Sequence, residues 1–237
     1  MASTVTYTRF RPALRPWTVA VLVGLIGYCD FPLQWIVGSP LSPTRSYISE
    51  LAVAGQPYYQ FFRMGDLVAG IGLAVLAGVL VIWRPSSPMR LGSAALVVAA
   101  ATSVVDALSP MSCAPSVDPR CWAADHAAVS TQLSQLHTIS GVVGFTAILF
   151  AMAAYGVALG GQPGMRHLRL MGLTCAAIGA VLGGIEIVTA LADTDWTGLF
   201  ERIHVAIVGT FLVMLTFAIA RTTSPASRRS TVSSLPH

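Results

Sequence analysis

The chain has 237 residues, of which 54% are hydrophobic and only 10% are charged, and its mean hydropathy is +0.70. Soluble domains carry charges on about a quarter of their residues, so this composition excludes a water-soluble fold and predicts a membrane protein. The formal net charge is +4, but the arginines form no basic stripe with interleaved aromatic residues, so we expect no nucleic-acid partner.

Six apolar segments are each long enough to cross about 30 Å of hydrocarbon at about 1.5 Å per helical residue. They cover residues 16–37, 62–83, 91–108, 136–159, 168–191 and 199–220. This pattern predicts an all-α fold, a polytopic membrane bundle of six transmembrane helices over residues 16–220. The first segment is too long for the apolar region of a signal peptide, and it contains Asp30 and Pro32, so we expect it to remain as an uncleaved anchor.

The arginines are distributed unequally between the two predicted sides of the membrane. Ten lie at the chain ends and in the connections that six alternating spans would place on one side, and four lie on the other. The positive-inside rule then predicts that both termini are cytoplasmic. Residues 1–15 would form a cytoplasmic N-terminal segment, and residues 221–237, rich in Ser, Thr, Pro and Arg, a disordered cytoplasmic tail.

Two of the four cysteines, Cys113 and Cys121, lie in the long third loop, on the predicted non-cytoplasmic side. Seven residues separate them, which is close enough for a loop-closing disulfide in an oxidising compartment. A pair of free thiols is the alternative. Cys29 and Cys175 fall within predicted spans, where we expect them to pack as small residues.

Ionisable side chains gather toward the non-cytoplasmic ends of the spans, whereas the inner halves are nearly free of them. Such a side chain costs about 2.5 kcal/mol or more in hydrocarbon, so each should face the bundle interior and find a partner. Asp30 and Glu186 lie deepest, followed by His204, and these three are the candidate catalytic residues. The predicted polar pocket also includes Ser49, Glu50, Arg63, Asp66, Asp106, His137, Glu201 and Arg202. For the residues at helix ends, a purely interfacial or packing role is an equally good interpretation.

Local spacing predicts two pairs near the pocket. Glu201 and His204 are three residues apart on one helix, as are Arg63 and Asp66, so each pair shares a face. The first pair could form a hydrogen bond, and the second is most simply explained as an ion pair.

The first outer loop, residues 38–66, contains a candidate short helix. Thr44 is a suitable N-cap for this helix, which would carry Ser49 and Glu50. The helix could lie over the mouth of the pocket. A solvated surface helix is the alternative.

This loop also carries a family resemblance. The segment Ser46-Tyr-Ile-Ser-Glu-Leu, followed by Phe62, Arg63 and Asp66, resembles the signature of the bacterial membrane proteins called domain of unknown function 998. The stretch Gly198-Leu-Phe-Glu-Arg-Ile is similar to the final-helix motif of that family. The resemblance implies one bundle in a bacterial plasma membrane, and it supplies no catalytic residues. More distantly, the layout is similar to the Frag1/DRAM/Sfk1 group, whose members are tied to membrane lipids.

The sequence contains no strong motif for a known chemistry. Zinc binding would need ligands from separate helices, because no HxxxH or HExxH pair is present. Its candidate ligands are His126, His137, His204, Asp106, Asp125 and Glu186. Hydrolysis by Ser49 or Ser109 lacks a G-x-S-x-G elbow, whereas paired buried acids would allow general acid–base chemistry. We expect no cofactor and no resident metal.

Two functions from different classes follow. In the first, the pocket opens to the non-cytoplasmic side and binds or processes a lipid or isoprenoid headgroup, with membrane lipids as partners. In the second, the protein is a non-catalytic accessory or transporter-associated subunit whose buried charges serve packing and assembly. The sequence leaves open whether another membrane protein or a second copy of the chain is a partner. The apolar inner halves argue against a path through the membrane.

Overall fold

The computed structural model describes residues 15–83, 86–125, 135–162 and 164–222. Residues 223–237 of the predicted tail, nearly all of the predicted N-terminal segment and His126 lie outside these residues, whereas Arg221 and Thr222, predicted as the start of the tail, are helical. The described part is all-α, with no strand. Its α-helices are α1 (Pro16–Tyr28), α2 (Tyr59–Trp83), α3 (Ser87–Leu108), α4 (Pro119–Asp125), α5 (Leu136–Leu159), α6 (Arg166–Leu191) and α7 (Thr197–Thr222). Two 3₁₀ helices, η1 (Phe31–Trp35) and η2 (Ile48–Ala52), lie between α1 and α2.

Five helices, α2, α3, α5, α6 and α7, are long and apolar enough to cross a membrane. They lie where five of the six spans are predicted, which supports a multi-pass membrane protein. Each begins at or a few residues before the predicted start. Helix α3, for example, begins with Ser87 and Pro88 after the N-cap Ser86, whose hydroxyl accepts a hydrogen bond from the Met89 amide at 3.4 Å.

The first predicted span differs from the structure. Helix α1 has 13 residues, about 20 Å of rise, and is followed by η1 instead of continuing to residue 37. Pro32 explains the break, because its ring would clash with the Tyr28 carbonyl in a continuous helix and it disfavours helical geometry at Phe31. A sixth complete span therefore stays a prediction.

The long helices and α1 pack as a closed ring. Each contacts the next along the chain, in the order α1, α2, α3, α5, α6 and α7, and α7 returns to contact α1. The connections between α2 and α3, α5 and α6, and α6 and α7 are short, which makes these neighbours antiparallel. Buried apolar side chains fill the middle of the ring, including Leu76, Leu80, Leu96, Met152 and Phe211.

Helices α1 and α2 approach until their backbones touch. A Cβ atom on Gly24 would lie 2.6 Å from the Cα of Gly72, and one on Gly72 would lie 2.7 Å from the Cα of Gly24. Real Cβ atoms do not come this close to backbone, so the contact requires glycine at both positions. Small residues permit such close approach between membrane helices.

One end of the bundle, which we call the loop end, carries residues 29–58, residues 109–118 with α4, and residues 192–196. These segments pack together. Arg45 lies 3.9 Å from Asp193 and 3.6 Å from Asp195, and the Leu199 amide donates to the Thr44 carbonyl at 3.0 Å. The sulfur atoms of Cys113 and Cys121 are 2.03 Å apart, so the predicted pair is at disulfide distance.

The candidate helix of the first outer loop is the 3₁₀ helix η2. It begins after Tyr47 instead of after Thr44, because the Glu50 carboxylate accepts the Tyr47 amide at 3.0 Å, whereas the Thr44 hydroxyl bonds to the Ser42 hydroxyl at 3.1 Å. Glu50 and Leu51 are buried. The alternative of a solvated surface helix is therefore wrong.

Candidate functional site

A cavity of about 150 Å³ lies at the loop end, between α2, α3, α5 and α7 and beneath η2. The polar residues that line it are Tyr28, Asp30, Ser49, Asp66, Thr102, Ser103, Asp106, His137, Ser140 and Glu201. Deeper in the bundle its wall is apolar, formed by Leu73, Ala99, Ile148 and Val205. The aromatic side chains of Phe62 and Phe145 complete the lining. Polar groups from four long helices thus meet at one level above an apolar floor.

Asp30 is the most deeply buried carboxylate of the cavity wall. It follows the end of α1, is 8% exposed, and lies against α2, where Gly65 has no side chain to displace it. Within the described residues its Oδ2 atom has no hydrogen-bond partner. Asp66, one residue after Gly65, also makes no hydrogen bond or ion pair with a described residue. Both carboxylates therefore retain unused acceptor atoms in a site removed from bulk water.

Asp106 and His137 face each other across the α3–α5 contact. The Nδ1 atom of His137 lies 3.1 Å from Oδ1 of Asp106, and the Ser140 hydroxyl donates a short hydrogen bond to the same oxygen. His137 and Ser140 lie three residues apart on α5, so they present the same helix face. Two helices and three side chains thus form one polar wall of the cavity.

Glu201 attaches η2 to α7. Its Oε2 atom accepts a hydrogen bond from the Ile48 amide at 2.7 Å, across 153 positions of sequence. The spacing-based pairing with His204 is absent, because the Glu201 carboxylate turns toward η2 and His204 turns toward α6.

Glu50 turns away from the cavity and joins two outer segments. Its Oε1 atom accepts the Tyr47 amide at 3.0 Å, and its Oε2 atom accepts the amide and the hydroxyl of Ser116 at 3.2 and 2.5 Å. Burial raises the pKa of the Glu50 carboxyl, and these hydrogen bonds, with the nearby charge of Arg202, lower it and offset part of the effect. The geometry gives Glu50 a role in holding the loop in place.

Arg202 is buried at 5% exposure and binds three separate parts of the loop end. Its guanidinium donates to the carbonyls of Ser46 and Gly198 at 2.7 and 2.9 Å, and to Oε1 of Gln34 at 3.0 Å. Arg202 therefore joins η1, the first outer loop and α7, and it does not line the cavity. We call Gln34, Ser46, Glu50, Ser116 and Arg202 the loop-end network.

Glu186 and His204 form a separate pair between α6 and α7. Nδ1 of His204 lies 3.0 Å from Oε1 of Glu186, and the imidazole stacks on the Phe145 ring with centroids 4.7 Å apart. His204 is 1% exposed, and neither member of the pair lines the cavity. Of the three candidate catalytic residues, the structure therefore places Asp30 in the cavity and the other two beside it.

Arg63 binds the end of α3. Its Nε atom donates to the carbonyl of Ala107 at 3.0 Å, where the last carbonyls of a helix attract a positive charge. Among the described residues Arg63 forms no ion pair with Asp66, in contrast to the prediction from their spacing. The two side chains diverge, since Asp66 faces the cavity.

Several polar residues of this region were not predicted from the sequence. Thr102 and Ser103 lie three to four positions before Asp106, and Ser140 lies three after His137, so helical periodicity could have found them. Gln34 and Ser116 lie in irregular segments, where no periodicity indicates the direction of a side chain. Within the described residues, no group of three His, Cys, Asp or Glu side chains is close enough to hold a metal ion.

Comparison with known proteins gives one result. The model of a family described as "Protein of unknown function (DUF998)" matches residues 13–218. The match covers most of the chain, including the whole described bundle up to the last turn of α7, and the chain therefore belongs to this family. No curated protein and no solved structure matches it.

Proposed function

We propose that this member of the DUF998 family binds a lipid headgroup in the loop-end cavity, which faces the non-cytoplasmic side of a bacterial membrane. The observation that carries the proposal is the lining of the cavity, where polar side chains from α2, α3, α5 and α7 converge above an apolar floor. Ionisable groups are expensive at this depth, so an internal site lined by them is by default a functional site.

The position of the cavity favours a lipid over a solute in transit. Its polar residues lie within the first turns of the helices at the loop end, close to the level of lipid headgroups. Below them the ring is filled by apolar side chains such as Leu76, Leu80 and Leu96. A transporter needs polar groups through the full membrane thickness, so a pocket closed at its base fits binding or processing better.

If the site also processes its ligand, Asp30 is the best candidate for general acid–base chemistry, with Asp66 as its neighbour. Both line the cavity. Among the described residues, Oδ2 of Asp30 has no hydrogen-bond donor and Asp66 makes no hydrogen bond. Glu186 and His204 bind each other at 3.0 Å, which suits a supporting role between α6 and α7, and Nε2 of His204 has no hydrogen-bond partner among the described residues.

The second candidate function is that of a non-catalytic accessory subunit. It is favoured by the loop-end network, in which Glu50 and Arg202 bind other segments of the same chain, although Nε of Arg202 has no hydrogen-bond partner among the described residues. This function predicts that the cavity acids tolerate neutral replacement. It leaves the unpaired Asp30 carboxylate unexplained.

The proposal can be tested by measuring which lipid remains bound to the protein on purification, and how much. Full-length protein is extracted in mild detergent, and the co-purified lipid is identified and counted by mass spectrometry. We expect wild type to retain a defined lipid and Asp66→Asn to retain at least about tenfold less. Replacing one charged partner of a buried polar contact by a neutral one removes a large part of the affinity for the ligand. Asp195→Asn, at a side chain 75% exposed, is the matched control and should behave as wild type. Equal lipid on Asp66→Asn and wild type would overturn the proposal.

A further inference from the structure

The charged side chains around the cavity are almost all negative. Four carboxylates line it, those of Asp30, Asp66, Asp106 and Glu201, together with the one imidazole of His137. No arginine is among the described lining residues. A phosphate placed among these groups would be repelled, since like charges disfavour each other strongly where the dielectric constant is low.

Arg63 and Arg202, which are adjacent in sequence to cavity residues, direct their side chains to other parts of the chain. Arg202 directs its guanidinium to Ser46, Gly198 and Gln34, and Arg63 donates Nε to the end of α3. Neither lines the cavity. The described lining therefore includes no arginine or lysine to neutralise an acidic ligand, although acidic headgroups are usually bound by these residues.

The burial of Asp30 without a hydrogen-bond donor from the described residues is a second observation, independent of the number of negative charges around the cavity. It is nine-tenths buried in the cavity wall, and its Oδ2 atom has no hydrogen-bond donor within the described residues. A buried acceptor without a donor is costly, and such groups are normally satisfied by a protein group, an ordered water, an ion or a ligand. Because Oδ2 is enclosed against Gly65 of α2, a donor in the cavity would reach the carboxylate at Oδ1, which makes no hydrogen bond with another described residue.

The aromatic lining residues and the volume of the cavity limit which chemical class of hydrogen-bond donor can bind there. The aromatic rings of Tyr28, Phe62 and Phe145 contribute to the lining, and aromatic faces attract cations. The described acids do not converge in groups of three, as ligands of a single metal ion would. A cavity of about 150 Å³ has space for an organic group of a few heavy atoms, since water takes about 30 Å³ per molecule in the liquid.

From these observations we infer that the ligand of the cavity carries an ammonium group, which binds among Asp30, Asp66 and the aromatic walls. The inference rests on the proposed function and specifies its headgroup as an amine of the ethanolamine type, whose ammonium enters the cavity while its phosphate stays at the mouth, outside the group of carboxylates. An ammonium group supplies three N–H donors, which matches the unused acceptors of Asp30 and Asp66. The same chemistry could come from a lipid headgroup or from a free amine.

The experiment measures thermal stabilisation of the full-length protein in detergent by three probes. These are short-chain phosphatidylethanolamine, short-chain phosphatidylglycerol and ethanolamine alone. A ligand that binds the folded state raises the unfolding temperature in a concentration-dependent way. We expect phosphatidylethanolamine to stabilise wild type, and phosphatidylglycerol to have at least about tenfold lower apparent affinity.

Variants assign the effect to the cavity. Asp30→Asn should abolish or greatly weaken stabilisation by phosphatidylethanolamine, and Asp195→Asn should retain it. If Asp30→Asn fails to fold, Asp66→Asn tests the same site from α2. Stabilisation unchanged in a folded cavity variant would overturn the inference.

The outcomes separate the two proposals. Equal stabilisation by both lipids, lost in Asp66→Asn, would overturn the ammonium inference and leave the lipid site standing. Stabilisation by ethanolamine with none by either lipid would support the ammonium site and overturn the lipid function. No stabilisation by any probe would overturn the ammonium inference, and the co-purified lipid would then decide the proposed function on its own.

Discussion

Glu50 and Asp30 are both buried carboxylates at the loop end, but their surroundings give them different roles. Glu50 accepts hydrogen bonds on both of its oxygens, from Tyr47 and Ser116. Asp30 has an oxygen for which the described residues offer no donor. A carboxylate fully satisfied within the chain stabilises the fold, whereas one that lacks a donor at a cavity wall is suited to bind something else.

The role of Glu50 can be tested by Glu50→Gln. The amide keeps the size of the side chain but turns one of the two acceptor oxygens into an NH₂ group, which must then face an amide or hydroxyl donor. Leaving a buried donor unsatisfied costs about 1–3 kcal/mol. For a domain of this size we expect the unfolding temperature in detergent to fall by about 2–12 °C, measured by loss of the monodisperse peak on heating.

Ser116→Ala is the matched control for this experiment. It removes the hydroxyl that donates to Glu50 and bonds to the Ser46 hydroxyl at 2.6 Å, but it keeps both backbone amide bonds, so each Glu50 oxygen retains a donor and the effect should be the smaller of the two. If Glu50→Gln unfolds at the wild-type temperature, the Glu50 contacts do not hold the loop end together.

Residue types predicted the polar cluster better than they predicted its pairings. The high cost of charge in hydrocarbon was enough to place acids and histidines together at one end. The partners depend on rotamers and on loops folded over the helix ends. Arg63 binds Ala107 and His204 binds Glu186, although spacing along one helix favoured Asp66 and Glu201. These contacts join different helices, across 44 and 18 positions of sequence, and leave no local pattern to read.

At the scale of elements, the contact between α1 and α2 depends on the absence of side chains. Gly24 and Gly72 bring the two backbones together, and this contact supports the end of α1 from which Asp30 enters the cavity. The sequence could predict helices with small-residue faces. It could not predict which glycines meet, because that depends on the rotation of both helices.

Gly72→Ala and Gly78→Ala test this contact with the same substitution on one helix. The added methyl at Gly72 meets the Gly24 backbone at 2.7 Å, whereas the one at Gly78 has no heavy atom within 4 Å among the described residues. Overpacking costs about 1–3 kcal/mol, and alanine is favoured over glycine in a helix by about 1 kcal/mol. We expect Gly72→Ala to lower the unfolding temperature and Gly78→Ala to leave it unchanged or raise it. Equal behaviour of the two variants would contradict the packing described for α1.

The break after α1 is also an effect at the element scale. Hydropathy favoured one continuous span over residues 16–37, because Phe31, Leu33 and Trp35 remain apolar after the helix ends. A single backbone constraint at Pro32 outweighs this pattern and forms η1. The result places Asp30 at the junction of two elements, where a side chain can enter the space between α1 and α2.

At the scale of the whole molecule, the ring places every long connection at one end. The chain turns back through short connections at the other end, so η1, η2 and α4 all lie at the loop end, where η2 covers the cavity. The network around Arg202 then joins the first outer loop to α7, and α1 and α7 close the ring. Antiparallel neighbours follow from the short connections. Closure between the first and last helices depends on contacts that sequence periodicity does not encode.

The direction of this asymmetric bundle in the membrane decides whether the cavity can meet outer-leaflet lipid. The distribution of arginines predicts that the loop end is non-cytoplasmic. A disulfide between Cys113 and Cys121 would require the loop end to lie in an oxidising compartment. Both arguments concern the same end of the molecule, and a single labelling experiment can test them.

Two single-cysteine variants, made in a background whose four native cysteines are alanine, report the two ends. Asp195→Cys lies at the loop end, and Gly161→Cys lies in the connection between α5 and α6, where an added Cβ meets no heavy atom within 4 Å among the described residues. In intact cells, a membrane-impermeant maleimide should label Asp195→Cys and not Gly161→Cys. Permeabilised cells should give labelling at both positions, which controls for accessibility. The reverse pattern would place the cavity on the cytoplasmic side, and its ligand would then have to be sought among inner-leaflet lipids and cytoplasmic amines.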